Sequence, residues 1–277
     1  NQLKTFLENA MFRKVVITVL WIVASLIFAA YFVFAEIERN KGVQGETCNS
    51  IECIVLDSIY NRFVSKEEVC SLIVNSGFNP IGKIYSEINL SDLEEMLSGK
   101  SAIKSGNLYL RRGGKLVVEI TQRRPILRLE TSNGGFYIDE QKYIFPLVRT
   151  FSSYVPIVTG DIPMRIEEGY RGYYYGENEV WLDQMCEFGH FITSTPLWNS
   201  QIQQIEIENN GDINLYTRVG DQKIVFGGLN NYKYKFAKLK GYYDKIVPIY
   251  GWERYSEVNL KFSNQIVCTQ RNRKSNH

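Results

Sequence analysis

Val15 to Ala35 (VVITVLWIVASLIFAAYFVFA) contains no charged residue. Coiled as a helix, it would be roughly 30 Å long, the thickness of a hydrocarbon core. A cleaved signal has an apolar region of only about 7–15 residues, and Phe34-Ala35-Glu36 makes a poor small-x-small cleavage site. The run is apolar all round, unlike the one-sided helix of a soluble core. It therefore reads as a retained anchor. Lys4, Arg13 and Lys14 precede it, and Glu36 and Glu38 follow, with Arg39 and Lys41 blurring the contrast. Under the positive-inside rule the head stays in the cytoplasm and the body is exported. The expected plan is a head over 1–14, a span over 15–35 and a linker over 36–47. No other run approaches membrane length, so a single pass is expected. The first residue is Asn rather than Met, which leaves room for a start upstream.

The chain of 277 residues is long enough for two modest domains beside the anchor. Its 32 basic and 30 acidic side chains leave a net charge of +2. That balance argues against nucleic acid as a partner, since such binders concentrate positive charge.

From Cys48 the pattern is β-α-α-β-β. Ser50 to Ile59 alternates as a strand does. Ser65-Lys66-Glu67-Glu68 has the form of a capping box, after which Val69, Leu72, Ile73 and Ser76 share a helical face until Gly77. Ser91-Asp92-Leu93-Glu94 opens a second short helix that turns Leu90, Leu93 and Leu97 inward. Leu108 and Leu110 then alternate up to Gly113-Gly114, and Leu116, Val118 and Ile120 alternate away from it. Paired glycines supply the positive φ angles that a two-residue hairpin turn needs. This order, closing at Arg124-Pro125, resembles the polypeptide-transport-associated (POTRA) unit and sets a first domain at 48–125.

Short strands follow, setting a second domain at 126–270. Ile126–Thr131, Phe136–Asp139 and Tyr143–Phe145 read as successive strands, with a further short one over Val155–Gly160. Gly169 to Gly176 reads as a loop. A helix is expected over Val180–Thr193, then strands over Gln201–Glu208, Asp212–Arg218 and Gln222–Phe226. Tyr232 to Val247 reads as a helix with Tyr232, Phe236, Leu239, Tyr243 and Ile246 along one stripe. Its lysines, Lys233, Lys235, Lys238 and Lys240, read as an ordinary solvated face. The fold class expected is α+β: a transmembrane helix, a POTRA-like domain, and a mostly antiparallel β domain with flanking helices.

Catalytic patterns are absent: no G-x-S-x-G, S-x-x-K, H-E-x-x-H or P-loop occurs. His190 reads as a packing or surface residue, and His277 is the last residue. Acids are scattered, without an evident pair. The five cysteines, Cys48, Cys53, Cys70, Cys186 and Cys268, include one C-x4-C spacing with no second pair to complete a metal site. On an extended strand Cys48 and Cys53 would stand about 16 Å apart, too far to bond unless the chain bends. The cysteines read mainly as small apolar residues. No enzyme activity, metal or cofactor is expected.

The chain ends YSEVNLKFSNQIVCTQRNRKSNH. Tyr255 onward alternates, Ser263-Asn264 interrupts, Gln265–Thr269 runs apolar again, and a basic tail occupies 271–277. An unpaired last strand would expose a row of backbone N–H and C=O groups. Val118-Glu119-Ile120-Thr121-Gln122-Arg123-Arg124-Pro125, Phe136-Tyr137-Ile138-Asp139 with Tyr143-Ile144-Phe145, and the closing Tyr255–Val267 together resemble segments of the FtsQ/DivIB cell-division family. Two departures stand out. The turn Glu140-Gln141-Lys142 lacks the usual glycine, and Asn-Leu-Lys-Phe stands where Asp-Leu-Arg-Tyr is usual.

That resemblance implies a non-enzymatic divisome scaffold in the bacterial cytoplasmic membrane, gathered at the division septum. It would bind FtsB and FtsL, and its POTRA unit would help recruit it through FtsK. An FtsB segment would add a strand along the terminal edge. Candidate contact residues are Tyr255, Lys261, Phe262, Asn264, Gln265, Ile266, Val267, Cys268 and Thr269. Lys261 would meet an acid of the partner, while Tyr255 and Phe262 would supply apolar area. Val258 and Leu260 read as packing residues, and proline at Val267 would be the test of the edge. The alternative is a POTRA-containing export or envelope-assembly component, which ordinarily carries several such units and a membrane β-barrel.

Overall fold

The structure is a computed structural model that describes residues 2–59, 62–149 and 151–271; within the first helix, side chains are described for 14–37. The flanking charges Lys4, Arg13, Glu38, Arg39 and Lys41, and the tail beyond Arg271 with His277, lie outside what is described. Helix α1 runs Gln2–Gln44, and within it Lys14–Ile37 is long and apolar enough to cross a membrane, with none of its hydrophobic window buried against protein.

Contacts divide the chain into two units. The first takes the residues up to Ile54 with Lys66–Met96 and Gly106–Glu119. The second takes Val55–Ser65, Leu97–Ser105 and the chain from Ile120 on. A three-stranded sheet is ordered β1-β3-β2, from β1 Ser50–Val55, β2 Ile103–Arg111 and β3 Lys115–Gln122. Helices α2 (Lys66–Val74) and α3 (Leu90–Ser98) lie between β1 and β2 in sequence. Strand β1 stops at Val55, four residues short of the expected end, where the chain turns. The Gly113-Gly114 turn has φ of +91° and +77°, and its two amides donate to the Glu46 carboxylate at 2.6 and 3.1 Å.

One correction concerns the cysteines. Cys53 on β1 and Cys70 on α2 form a disulfide with Cα atoms 6.1 Å apart. The bend between strand and helix joins residues that a linear reading keeps apart; Cys48, Cys186 and Cys268 stay free thiols. A cross-link closing about 17 residues is worth about 3 kcal/mol through loss of unfolded-chain entropy. Reduction should therefore make residues 48–119 cleavable by a protease at denaturant concentrations that the oxidised chain withstands. Equal resistance in both forms would show that the bond adds nothing.

The second unit carries a ten-stranded sheet ordered β13-β12-β11-β10-β9-β7-β4-β5-β6-β8. Its strands are β4 Pro125–Thr131, β5 Gly134–Asp139, β6 Tyr143–Pro146, β7 Ile157–Gly160, β8 Gly172–Tyr173, β9 Ile202–Ile207, β10 Ile213–Thr217, β11 Lys223–Gly227, β12 Tyr255–Asn259 and β13 Val267–Gln270. The pairs β4–β7, β7–β9 and β11–β12 are parallel; the others are antiparallel. Parallel neighbours need crossovers. Strands β5 and β6 lie in the connection from β4 to β7, helices α4 (Glu179–Ser194) and α5 (Pro196–Gln201) in that from β7 to β9, and α6 (Tyr232–Lys245) with α7 (Val247–Tyr250) in that from β11 to β12. The short α5 and α7 carry too few apolar repeats to register as periodic runs. The Gly169–Gly176 stretch is also corrected: Gly172–Tyr173 pairs with β6 as a two-residue edge strand, too short to alternate visibly.

Helices α4 and α6 share one core with the sheet. Phe236 lies 5.7 Å from Phe188, 5.2 Å from Phe226 and 4.6 Å from Trp198, ring to ring. Because side chains alternate across a strand, Phe136 and Ile138 enter that core while Tyr137 points the other way. There it meets Phe63 and Phe145 in a second cluster with Ala102 and Val155.

Candidate functional site at the terminal sheet edge

Two of the sequence segments singled out above are joined by a buried ion pair that the sequence did not reveal. Arg123 donates to Asp139 at 2.8 Å, with the two side chains 11% and 2% exposed. The other Asp139 oxygen accepts the amides of Gln141 and Tyr143 at 2.8 and 2.9 Å. Arg123 also donates to the Ser101 carbonyl and lies 3.3 Å from the Tyr143 ring centre. This explains how the turn manages without a glycine. Lys142 takes the left-handed φ of 65°, normally costly for a side chain, while the carboxylate holds the amides on either side of it. The pair is almost wholly buried and serves structure. Residues sixteen apart do not announce themselves as partners until two strands bring them together.

Strand β13 ends the sheet. It pairs antiparallel with β12 through Asn259↔Val267, Val258↔Cys268, Glu257↔Thr269 and Tyr255↔Gln270, and among the described residues no strand pairs with its other side. The Arg271 amide donates inward to the Arg254 carbonyl at 3.0 Å. Backbone groups reverse direction at each residue of a strand. Those of Val267 and Thr269 therefore face β12, and those of Cys268 and Gln270 face outward. Proline at Val267 would accordingly strike the hairpin itself, so the informative position is Gln270.

The candidate residues divide by what they touch. Tyr255 is half-buried, its ring 6.3 Å from those of Tyr242 and Tyr250. Ile266 and Cys268 pack from the edge onto the core, and burial pushes the Cys268 thiol up, keeping it protonated. Phe262 and Val267 are 48% and 42% exposed; Asn264, Gln265 and Thr269 are exposed too. Lys261 meets an acid within its own chain, donating to Asp212 at 2.5 Å. That hydrogen bond holds its ammonium above the usual lysine range. Val258 and Leu260 are fully buried, as packing residues should be.

Two lysines of α6 depart from the solvated-face reading. Lys238 donates to the carbonyls of Leu260 at 2.8 Å, Phe262, and Gln265 at 3.4 Å, pinning the connection between β12 and β13. Lys235 donates to the Gly228 carbonyl at 2.6 Å. Burial pulls both ammonium groups below the usual lysine range. Periodicity placed them off the apolar stripe, but the long stems bend back toward carbonyls that only the folded connection presents. Lys240 pairs with Asp244 on the surface.

Among the described residues no three His, Cys, Asp or Glu side chains are gathered to hold a metal ion, and His190 is exposed on α4. What the edge offers is backbone: outward donors and acceptors on a short strand, flanked by Phe262 and Val267.

A family profile described as FtsQ/DivIB, C-terminal related, matches residues 124–269, and one described as a POTRA-like domain matches residues 46–121. No curated protein matches the chain.

Proposed function

The chain belongs to the FtsQ/DivIB family, and from that premise we propose that it is a single-pass, non-enzymatic scaffold of bacterial cell division that binds FtsB- and FtsL-type proteins by strand addition at β13. Family membership with a POTRA-like domain and one membrane-length helix gives the general character, a cell-division membrane scaffold. The finer reading rests on one observation, the outward backbone of Cys268 and Gln270 at the end of the sheet. An extended partner segment would complete the ladder, with affinity from main-chain bonds and choice from side chains. In this reading the body is exported, the protein gathers at the septum, and the POTRA unit assists recruitment through an FtsK-type partner.

Gln270→Pro tests it. Edge strands tolerate proline where the missing donor faces away from the ladder, so the hairpin should persist. With the full chain in detergent micelles, affinity for the exported segment of the FtsB-type partner should fall at least tenfold, the cost of about one hydrogen bond plus the clash of the ring. Unchanged affinity in the folded variant would remove the edge as the docking site.

A further inference from the structure

Resting on that docking edge, we propose that Arg271 is its positioning residue: the guanidinium rivets the end of β13 to the turn between β10 and β11, so that a partner meets a strand already in order.

Strand β13 has little else to hold it. It is four residues long, and only Val267 and Thr269 turn their backbone groups to β12. Val267, Thr269 and Gln270 are exposed, and Ile266 and Cys268 are only partly buried. So short a strand with one open side belongs to the part of a fold that opens most easily. Its two ends, however, are pinned. Before the strand begins, the Tyr234 hydroxyl donates to the Ser263 carbonyl at 2.6 Å, and Lys238 reaches the Gln265 carbonyl. Just after it ends, Arg271 Nη2 donates to the carbonyls of Gly220 and Asp221 at 3.2 and 2.7 Å.

The turn that receives Arg271 is itself fastened to the core. Gln222, 1% exposed, donates to the Tyr242 hydroxyl at 3.0 Å and to the Trp252 carbonyl at 2.9 Å. One bond thus ties the turn to α6, and the other ties it to the segment leading into β12. Arg271 passes that hold on to the edge strand.

The carboxylates beside the guanidinium matter less than the carbonyls. Asp221 and Glu253 lie 3.5 and 3.7 Å away and are 94% and 78% exposed, and exposed ion pairs contribute little. A planar guanidinium spans neighbouring acceptors at less entropic cost than an ammonium on a flexible stem. With the template ordered beforehand, none of the partner's binding energy goes into ordering it.

The test uses the full chain in detergent micelles, titrated with the labelled exported segment of the FtsB-type partner. In free Arg271→Ala, the Val267 and Thr269 amides should exchange about tenfold faster or more, with the global unfolding midpoint unchanged. Affinity for the partner segment should fall about tenfold, and Arg271→Lys should recover only part of it. A staple separates positioning from contact. Val258 and Cys268 stand opposite each other and both face the core. Such a pair, without mutual backbone bonds, has Cα atoms about 4.5 Å apart, within disulfide range. Val258→Cys in the Arg271→Ala background, oxidised onto Cys268, should restore both amide protection and affinity. Wild-type exchange of Val267 and Thr269 in Arg271→Ala would overturn the rivet and leave the docking edge standing. Protection restored by the staple without affinity would make Arg271 a partner contact and overturn its positioning role. Fast exchange with undiminished affinity would overturn both that role and docking along β13.

Discussion

Asp139→Ala is expected to destabilise the second unit by about 3–5 kcal/mol, the cost of leaving one member of a buried ion pair without its partner. The arithmetic favours a large effect because three hydrogen bonds end on this carboxylate. Its loss strands the Arg123 guanidinium in a site 11% exposed and frees the turn that holds Lys142 at positive φ. A surface pair such as Lys142 with Asp183, both about half exposed, would contribute under about 1 kcal/mol. Denaturant unfolding followed by tryptophan fluorescence reads the effect. Trp181, Trp198 and Trp252 all lie in the second unit, and Trp21 in the membrane-length helix. Arg123→Met in the Asp139→Ala background should recover part of the loss, because the unpaired charge is then gone. A loss below 1 kcal/mol in the single variant would contradict the structural role given to the pair.

Gly160→Ala should cost about as much, for a different reason. Gly160 ends β7 with φ of +88°, and a Cβ built on it would lie 2.1 Å from the Ile207 carbonyl oxygen and 3.0 Å from the Ile207 nitrogen. The obstacle is paired backbone: Gly160 stands opposite Ile207 in the parallel β7–β9 ladder, and the Asp161 amide donates to that same carbonyl at 2.9 Å. Left-handed strain of about 1–3 kcal/mol adds to overpacking of about 1–3 kcal/mol, giving about 4 kcal/mol. Gly241→Ala, where a Cβ meets nothing, is the internal control and should not destabilise. Equal stability of the Gly160 and Gly241 variants would show that the close approach at Ile207 is not real.

Much of this architecture was legible in the sequence. The membrane helix announces itself by length and lack of charge. The β-α-α-β-β order follows from caps and the Gly-Gly turn, and α4 and α6 from 3.6-residue spacing; each signal is local. What could not be read is non-local. Cys53 and Cys70 meet because a strand and a helix fold together. Arg123 and Asp139 meet because β5 returns along β4. Lys238 looked solvated because its three carbonyl partners lie more than twenty residues away. Within the site, alternation identified the last two strands, but it could not say which backbone groups face out. That direction follows from the Arg271–Arg254 bond, and it moves the informative proline from Val267 to Gln270.

The most direct measurement is amide hydrogen exchange on the full chain in micelles, with and without the exported segment of the FtsB-type partner. Free, the Cys268 and Gln270 amides should exchange quickly, while those of Val267 and Thr269, bonded to β12, exchange slowly. With the partner bound, Cys268 and Gln270 should become protected together. Binding that leaves these two amides as fast as before, or finding them already protected in the free chain, would contradict docking along β13.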